Sequence, residues 1–170
     1  MITEKMEKAL NGQINKEFYS AYLYLAMSAY CNKINLPGAE HWFRMQYDEE
    51  VIHMTKMFDY VMQHGGEAHL LQIDEPPQEF GTILNVFEAS LAHEQSVTKL
   101  INELLDIAVQ ERDHATQVFL QWFITEQVEE EANVGDIVQR IKLAGDNGGA
   151  VMMLDDKLSL RQPPSPLAAT

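Results

Sequence analysis

Gln46-Tyr47-Asp48-Glu49-Glu50-Val51-Ile52-His53-Met54-Thr55-Lys56-Met57-Phe58-Asp59-Tyr60 reads as a helix whose core stripe is interrupted at its centre. Stepped alternately by three and four, the spacing of one helix face, the stripe runs Ala39, Phe43, Gln46, Glu50, His53, Met57 and Tyr60. Its ends are apolar or aromatic. Its middle holds a carboxylate and an imidazole three residues apart, so Glu50 and His53 lie on the same face.

Three further stretches repeat this design. One stripe runs Met6, Leu10, Ile14, Glu17, Ala21, Tyr24 and Ser28; another Leu84, Phe87, Leu91, Glu94, Thr98, Ile101 and Leu105; the last Thr116, Leu120, Phe123, Gln127, Glu130, Val134, Ile137 and Ile141. Glycine and proline separate them. The reading is a helix over 4–32, a turn before Pro37, a helix over 37–64 stopped by Gly65-Gly66, and helices over 81–109 and 111–144, the last closed by Gly145. Residues 67–80, with Pro76-Pro77 and no helical period, form a long loop. A short apolar piece, 150–158, follows, and three prolines mark the C-terminal end. Residues 1–160 are expected to form one domain, with 161–170 a flexible tail.

Helices of about 28 residues are ~42 Å long. Short turns make the first and second helices antiparallel, and likewise the third and fourth. About 15 extended residues span ~50 Å, enough for the loop to run the length of a bundle and leave the second and third helices parallel. The fold class is therefore all-α, a four-helix bundle with one long crossover. The 150–158 piece needs cover, so it should pack on the main helices or on partner subunits.

Register brings the four interruptions together. Level residues in an antiparallel pair are equidistant from the turn: Glu17 and Glu50 centre on the first turn, and Glu94 and Gln127 on the last. Buried lone carboxylates cost several kcal/mol each unless they neutralise, pair or bind metal. Glu17, Glu50, Glu94 and Glu130 would converge with no lysine or arginine on any of the four stripes. A pair of divalent cations relieves that repulsion. Carboxylates with one imidazole suit iron, manganese or zinc rather than calcium. The same Glu-x-x-His spacing at Glu111 and His114 falls at the start of the fourth helix, ~20 Å or more from the Glu130 level, and reads as a surface pair.

Composition sets outer bounds. The chain has 170 residues, 46% of them hydrophobic, which fits one domain with a real core. Acids outnumber bases 26 to 12, for a net charge of −14, which argues against nucleic-acid binding. Cys31 is the single cysteine, so no intrachain disulfide is possible and a reducing cytoplasm is the expectation. The longest apolar run, around 21–31, is short of the ~20 residues that cross a bilayer, and no membrane partner is expected.

At Asn15-Lys16-Glu17-Phe18-Tyr19-Ser20-Ala21-Tyr22-Leu23-Tyr24, Glu49-Glu50-Val51-Ile52-His53 and Glu126-Gln127-Val128-Glu129-Glu130 the chain resembles the bacterial-type non-haem ferritins, over roughly residues 1–160. The resemblance implies a ferritin-like bundle with a short fifth helix, assembled into a hollow 24-subunit homo-oligomeric cage. It implies a ferroxidase, which oxidises Fe(II) with O2 at a di-iron centre and stores the ferric mineral. Carried over, Glu17, Glu50 and His53 are ligands of a first iron, with Glu50 bridging; Glu94 and Glu130 are ligands of the second, with Gln127 beside it. Tyr24 matches the tyrosine near the irons. Glu49, Glu126 and Glu129 match a third iron site, the other reading of these three being a solvated acidic face. Trp122 either donates electrons or packs. The choice of iron rests on the resemblance.

Departures narrow the match. Bacterioferritins carry a second Glu-x-x-His on the fourth helix, where this chain has Gln127-x-x-Glu130, and a haem-ligating methionine where this chain has Val51; no haem is expected, although Met54 and Met57 are nearby. Animal ferritins place channel acids at positions aligned with Gln117 and Leu120, so the iron entry route is left open. The alternatives are a di-iron peroxidase or monooxygenase on the same bundle, which would call for the symmetric His pair, and a helical interaction module, which would call for apolar residues at 17, 50, 94 and 130.

Overall fold

The computed structural model describes residues 2–164 and, among them, holds five helices and no strand. They are α1 (Glu4–Lys33), α2 (Pro37–Gln63), α3 (Ile83–Gln110), α4 (His114–Ala144) and α5 (Gly148–Leu158). Local chemistry sets most of their starts. Thr3 caps α1 by accepting from the Met6 amide, and Asn147 caps α5 at Ala150. Thr82 and Asn85 form a reciprocal capping box at α3. α2 starts with Pro37, and its flanking Leu36 offers no side-chain cap. The cap comes instead from α5: Asp155 accepts from the Gly38 and Ala39 amides at 2.9 and 2.8 Å. A carboxylate there also meets the positive end of the helix dipole.

The α3–α4 turn corrects one expectation. Glu111 does not begin the fourth helix; it caps the C-terminus of α3, and α4 starts at His114. Between them Arg112 takes φ 55° and Asp113 accepts from the Thr116 amide at 3.0 Å, so the chain reverses within three residues. The Asp113 cap outcompetes helix continuation, and the Glu111–His114 spacing spans a turn rather than one helix face.

The long loop runs where its length requires. Asn11 on α1 donates to the Glu67 carbonyl and accepts from the His69 amide, Asn15 donates to the Gln72 carbonyl, and the Tyr30 hydroxyl bonds the Gly81 carbonyl and amide. The loop thus climbs along α1 from one end to the other, and α3 starts at the end where α2 starts. α2 and α3 are parallel, and the fold is the four-helix bundle with one crossover.

Burial follows the stripes on α1, α2 and α4 at every position named. On α3 the centre of the face is rotated: Val86, Phe87, Ser90, Glu94, Val97, Ile101 and Leu104 are buried, while Leu84, Leu91, Thr98 and Leu105 are only half-buried. Apolar residues sit on both flanks of this face, and small Ser90 hides its true axis.

Among the described residues, the core has two apolar clusters. One gathers Tyr24, Met27, Phe43, Phe87, Val134 and Ile137, and α5 adds Leu158 to it. The other gathers Met6, Leu10, Met57, Ile101, Leu120 and Phe123. Burying each large apolar side chain contributes roughly 1.5–3 kcal/mol. Along every helix, the residues between the clusters are the polar interruptions: Glu17; Gln46, Glu50 and His53; Ser90 and Glu94; Gln127 and Glu130. The bundle is two cores joined by a polar layer. No helix among the described residues is long and apolar enough to cross a membrane.

Candidate metal centre

All four helices deliver carboxylates to that layer. Glu17, Glu50, Glu94 and Glu130 are each at most 3% exposed. Cross-helix bonds show that they share one level. Tyr24 on α1 donates its hydroxyl to Glu94 Oε1 on α3. Gln127 on α4 donates to Glu94 Oε2 at 3.1 Å, and Gln46 on α2 donates to Glu130 Oε2 at 2.7 Å. Gln13 donates to Glu17 Oε1 at 2.8 Å. His53 Nδ1 lies 3.6 Å from Glu50 Oε2, and its ring meets Trp122 and Phe123 edge to face.

The layer is short of cations. Burial pushes the Glu50 carboxyl well above its usual range, with Glu94, Glu17 and Glu130 adding repulsion. Burial raises Glu94 too, against the bonds from Tyr24 and Gln127. Glu130 is pushed up to about 8 by burial and then by Glu49 and Glu94. Tyr24 is raised by burial and then by Glu94 and Glu50, so it stays a neutral donor. The proteins that tolerate such a layer either keep it protonated or bring in positive charge.

Buried atoms without a hydrogen-bond partner fall where a cation would sit. Among the described residues they are Glu17 Oε2, Glu50 Oε2, Gln46 Oε1 and Arg161 Nη1; the first three are oxygen acceptors of the layer. Ligand atoms of Glu17, Glu50 and His53 all lie within 4.8 Å of one another. Two carboxylates and an imidazole at that spacing fit a divalent transition metal. Glu94 and Glu130 face the same layer, each held by an amide donor.

A second group lies toward the surface, where Glu49, His53 and Glu126 bring ligand atoms within 4.8 Å of one another. Glu49 and Glu126 are half-buried, and Glu129 is exposed and outside that group. Burial raises the Glu126 carboxyl, and Glu129 and Glu49 add repulsion while His53 opposes it. Trp122 packs on His53 and Phe123 and carries the Lys56 ammonium 4.5 Å from its ring centre.

Several supporting residues were not singled out as site residues by the sequence reading. Gln46 was on a stripe, one turn before Glu50, but nothing local says that it bonds Glu130. Gln13 lies one turn before Glu17, beside the stripe position Ile14. Thr98 accepts from Gln127 at 3.4 Å and donates to Glu131 at 2.6 Å. Arg161, in the segment expected to be a flexible tail, bonds Glu49 Oε2 at 2.5 Å; residues 165–170 lie outside the described residues. A polar residue one turn from a buried carboxylate is the signal that would have found the two glutamines.

Fold and site together define a four-helix bundle with one crossover and a buried carboxylate–histidine layer at its centre. The family model described as Ferritin-like domain matches residues 7–144. The chain is 45% identical over 161 residues to a bacterial non-heme ferritin of Bacteroides fragilis, covering 95% of this chain and 100% of that one. A bacterial non-heme ferritin of Campylobacter jejuni is 39% identical, covering 91% and 93%. Among solved structures, an open pore ferritin from the hyperthermophilic archaeon Archaeoglobus fulgidus superimposes with a TM-score of 0.94 at 51% identity, covering 95% of this chain and 100% of that one. The chain belongs to the ferritin family, and its relatives are non-haem ferritins.

Proposed function

We propose that the protein stores iron and oxidises it on entry, as a ferroxidase that takes Fe(II) as substrate at a di-iron centre in the polar layer. The observation that carries this reading is the convergence of four buried carboxylates from four helices on one level, with His53 beside them and three acceptor oxygens unpartnered. Glu17, Glu50 and His53 would hold the first iron, Glu50 bridging to a second held by Glu94 and Glu130 with Gln127 beside it. Each Fe(II) gives up one electron; two electrons and two protons convert O2 to hydrogen peroxide.

The chain's own residues prepare this step. Gln13, Gln46 and Gln127 each spend an amide N–H on one carboxylate oxygen, which orients the carboxylates without adding charge. Tyr24 does the same for Glu94. Iron binding must displace the protons that burial keeps on the carboxyls, so uptake releases acid. Fe(III), the harder ion, gains more from the carboxylates than Fe(II), which favours oxidation. The second position lacks a histidine, so it should bind more weakly and be the one that empties toward a store.

Glu49, Glu126 and Glu129 are the ligands of a third, peripheral iron in this reading. Self-assembly into a hollow cage supplies the space for a mineral. Large apolar side chains left exposed on a single chain, among them Val118, Val128, Leu143, Met152 and Met153, support burial by partner subunits. Aerobic addition of Fe(II) to apo-protein tests the function: a fast rise in Fe(III) absorbance saturating near two irons per subunit is expected, followed by mineral loading. Absence of the fast phase would overturn the ferroxidase reading.

A further inference from the structure

A single cation from the far end of the chain reaches the peripheral acid group. Arg161, three residues beyond the end of α5, places Nη2 2.5 Å from Glu49 Oε2. Its guanidinium stacks 4.4 Å from the centre of the Trp42 ring, and its carbonyl accepts from His41 Nε2 at 2.9 Å. The segment is therefore fixed at backbone, stem and head. Both charged side chains are only 20% exposed, and Arg161 Nη1 is buried without a hydrogen-bond partner. The pairing is monodentate, and half of the guanidinium fork is unused.

Glu49 has a competing engagement, because its carboxylate also belongs to the group with His53 and Glu126. A divalent cation bound there would need the Glu49 carboxylate lone pair that now accepts from Arg161. Resting on the reading above, in which Glu49 and Glu126 help to hold a third iron, we propose that Arg161 is a built-in competitor for that site. The guanidinium holds Glu49 until an incoming divalent cation displaces it, so the segment after α5 sets the site's affinity. Arg161 is a positioning residue and touches no iron. Its influence extends inward, since its charge draws down the Glu130 carboxyl against the burial and the Glu49 and Glu94 repulsion that raise it. Lys56, the other cation at the group, sits over Trp122 and has no such bond to Glu49.

The test is calorimetric titration of the assembled apo-protein with Zn(II), which binds nitrogen and oxygen ligands without redox turnover. Glu126→Gln identifies the peripheral step as the one it removes; Glu50→Ala identifies the central steps. Arg161→Gln, which keeps an amide but loses the charge, should tighten the peripheral step about tenfold, the worth of one charge-assisted hydrogen bond. Arg161→Lys, which keeps the charge but loses the fork and the stacking plane, should fall between. A purely structural arginine would give no change or a weaker site. Unchanged or weakened peripheral affinity in Arg161→Gln, with the central steps intact, overturns the competitor role alone. Absence of central steps in the unaltered protein overturns this proposal together with the ferroxidase centre.

Discussion

Glu49 and Glu50 are neighbours in sequence, as are Glu129 and Glu130, yet each pair divides between two chemical environments. One step along a helix turns the side chain by about 100°. Glu50 and Glu130 enter the layer between the two apolar clusters, while Glu49 and Glu129 face the rim. The inner acids are held by neutral donors and pushed toward their protonated forms. The rim lies near Arg161 and Lys56 and is half-buried at Glu49 and Glu126. In the proposed reading the same residue type thus serves a proton-exchanging centre inside and a cation-competed group outside; burial and partners set the difference, not composition.

The sharpest way to break this contrast is Glu50→Ala. It removes the carboxylate that faces the other three, and we expect the fast phase of Fe(II) oxidation to fall by at least about 100-fold, measured by stopped-flow absorbance. Next is Gln46→Leu, which keeps the bulk but releases Glu130; cation affinity at the central steps should weaken about 10- to 100-fold in calorimetric titration. An unchanged affinity would mean that the amide only fills space.

Gly38→Ala addresses how the rim cation is placed. A Cβ at Gly38 would lie 1.8 Å from the Asp155 carbonyl oxygen, so α5 must shift and its cap on α2 must loosen. A loss of about 1–3 kcal/mol in chemical denaturation is expected. The segment carrying Arg161 should loosen with it, reproducing part of the Arg161→Gln effect on the peripheral site.

A pH series gives the smallest but most diagnostic shift. Glu130 has a folded pKa of about 8 against 4.5 in the free side chain, so the folded apo-protein binds a proton that the unfolded chain releases. Its stability contribution is full below about pH 4.5 and is lost as pH rises toward 8, with Glu50 and Glu94 acting in the same direction. Thermal melts of apo-protein should fall by a few degrees across that window, and Zn(II) at saturation should abolish the slope. A rise in apo-protein stability with pH over the same range would place the protons elsewhere.

How much was legible beforehand varies by element. The stripes on α1, α2 and α4 could be read residue by residue because each helix buries one narrow face. On α3 the stripe was misplaced at Leu84, Leu91, Thr98 and Leu105, since apolar residues flank both sides of the face and Ser90 and Ala108 mark its centre only weakly. Convergence of the four glutamates was legible from turn positions, because antiparallel register is arithmetic on chain length. The glutamine donors were not: a buried amide advertises itself only through the group that it bonds, and for Gln46 that group is 84 residues away.

The sequence by itself determined the helices, their order, the crossover and the level at which carboxylates meet, since periodicity, capping and chain reach are local properties. Only the tertiary structure decided which oxygens are held and which are unpartnered, that Asp155 caps α2, and that Arg161 lies on Glu49. Those depend on side-chain directions and on contacts between residues more than 80 positions apart, which no local pattern encodes.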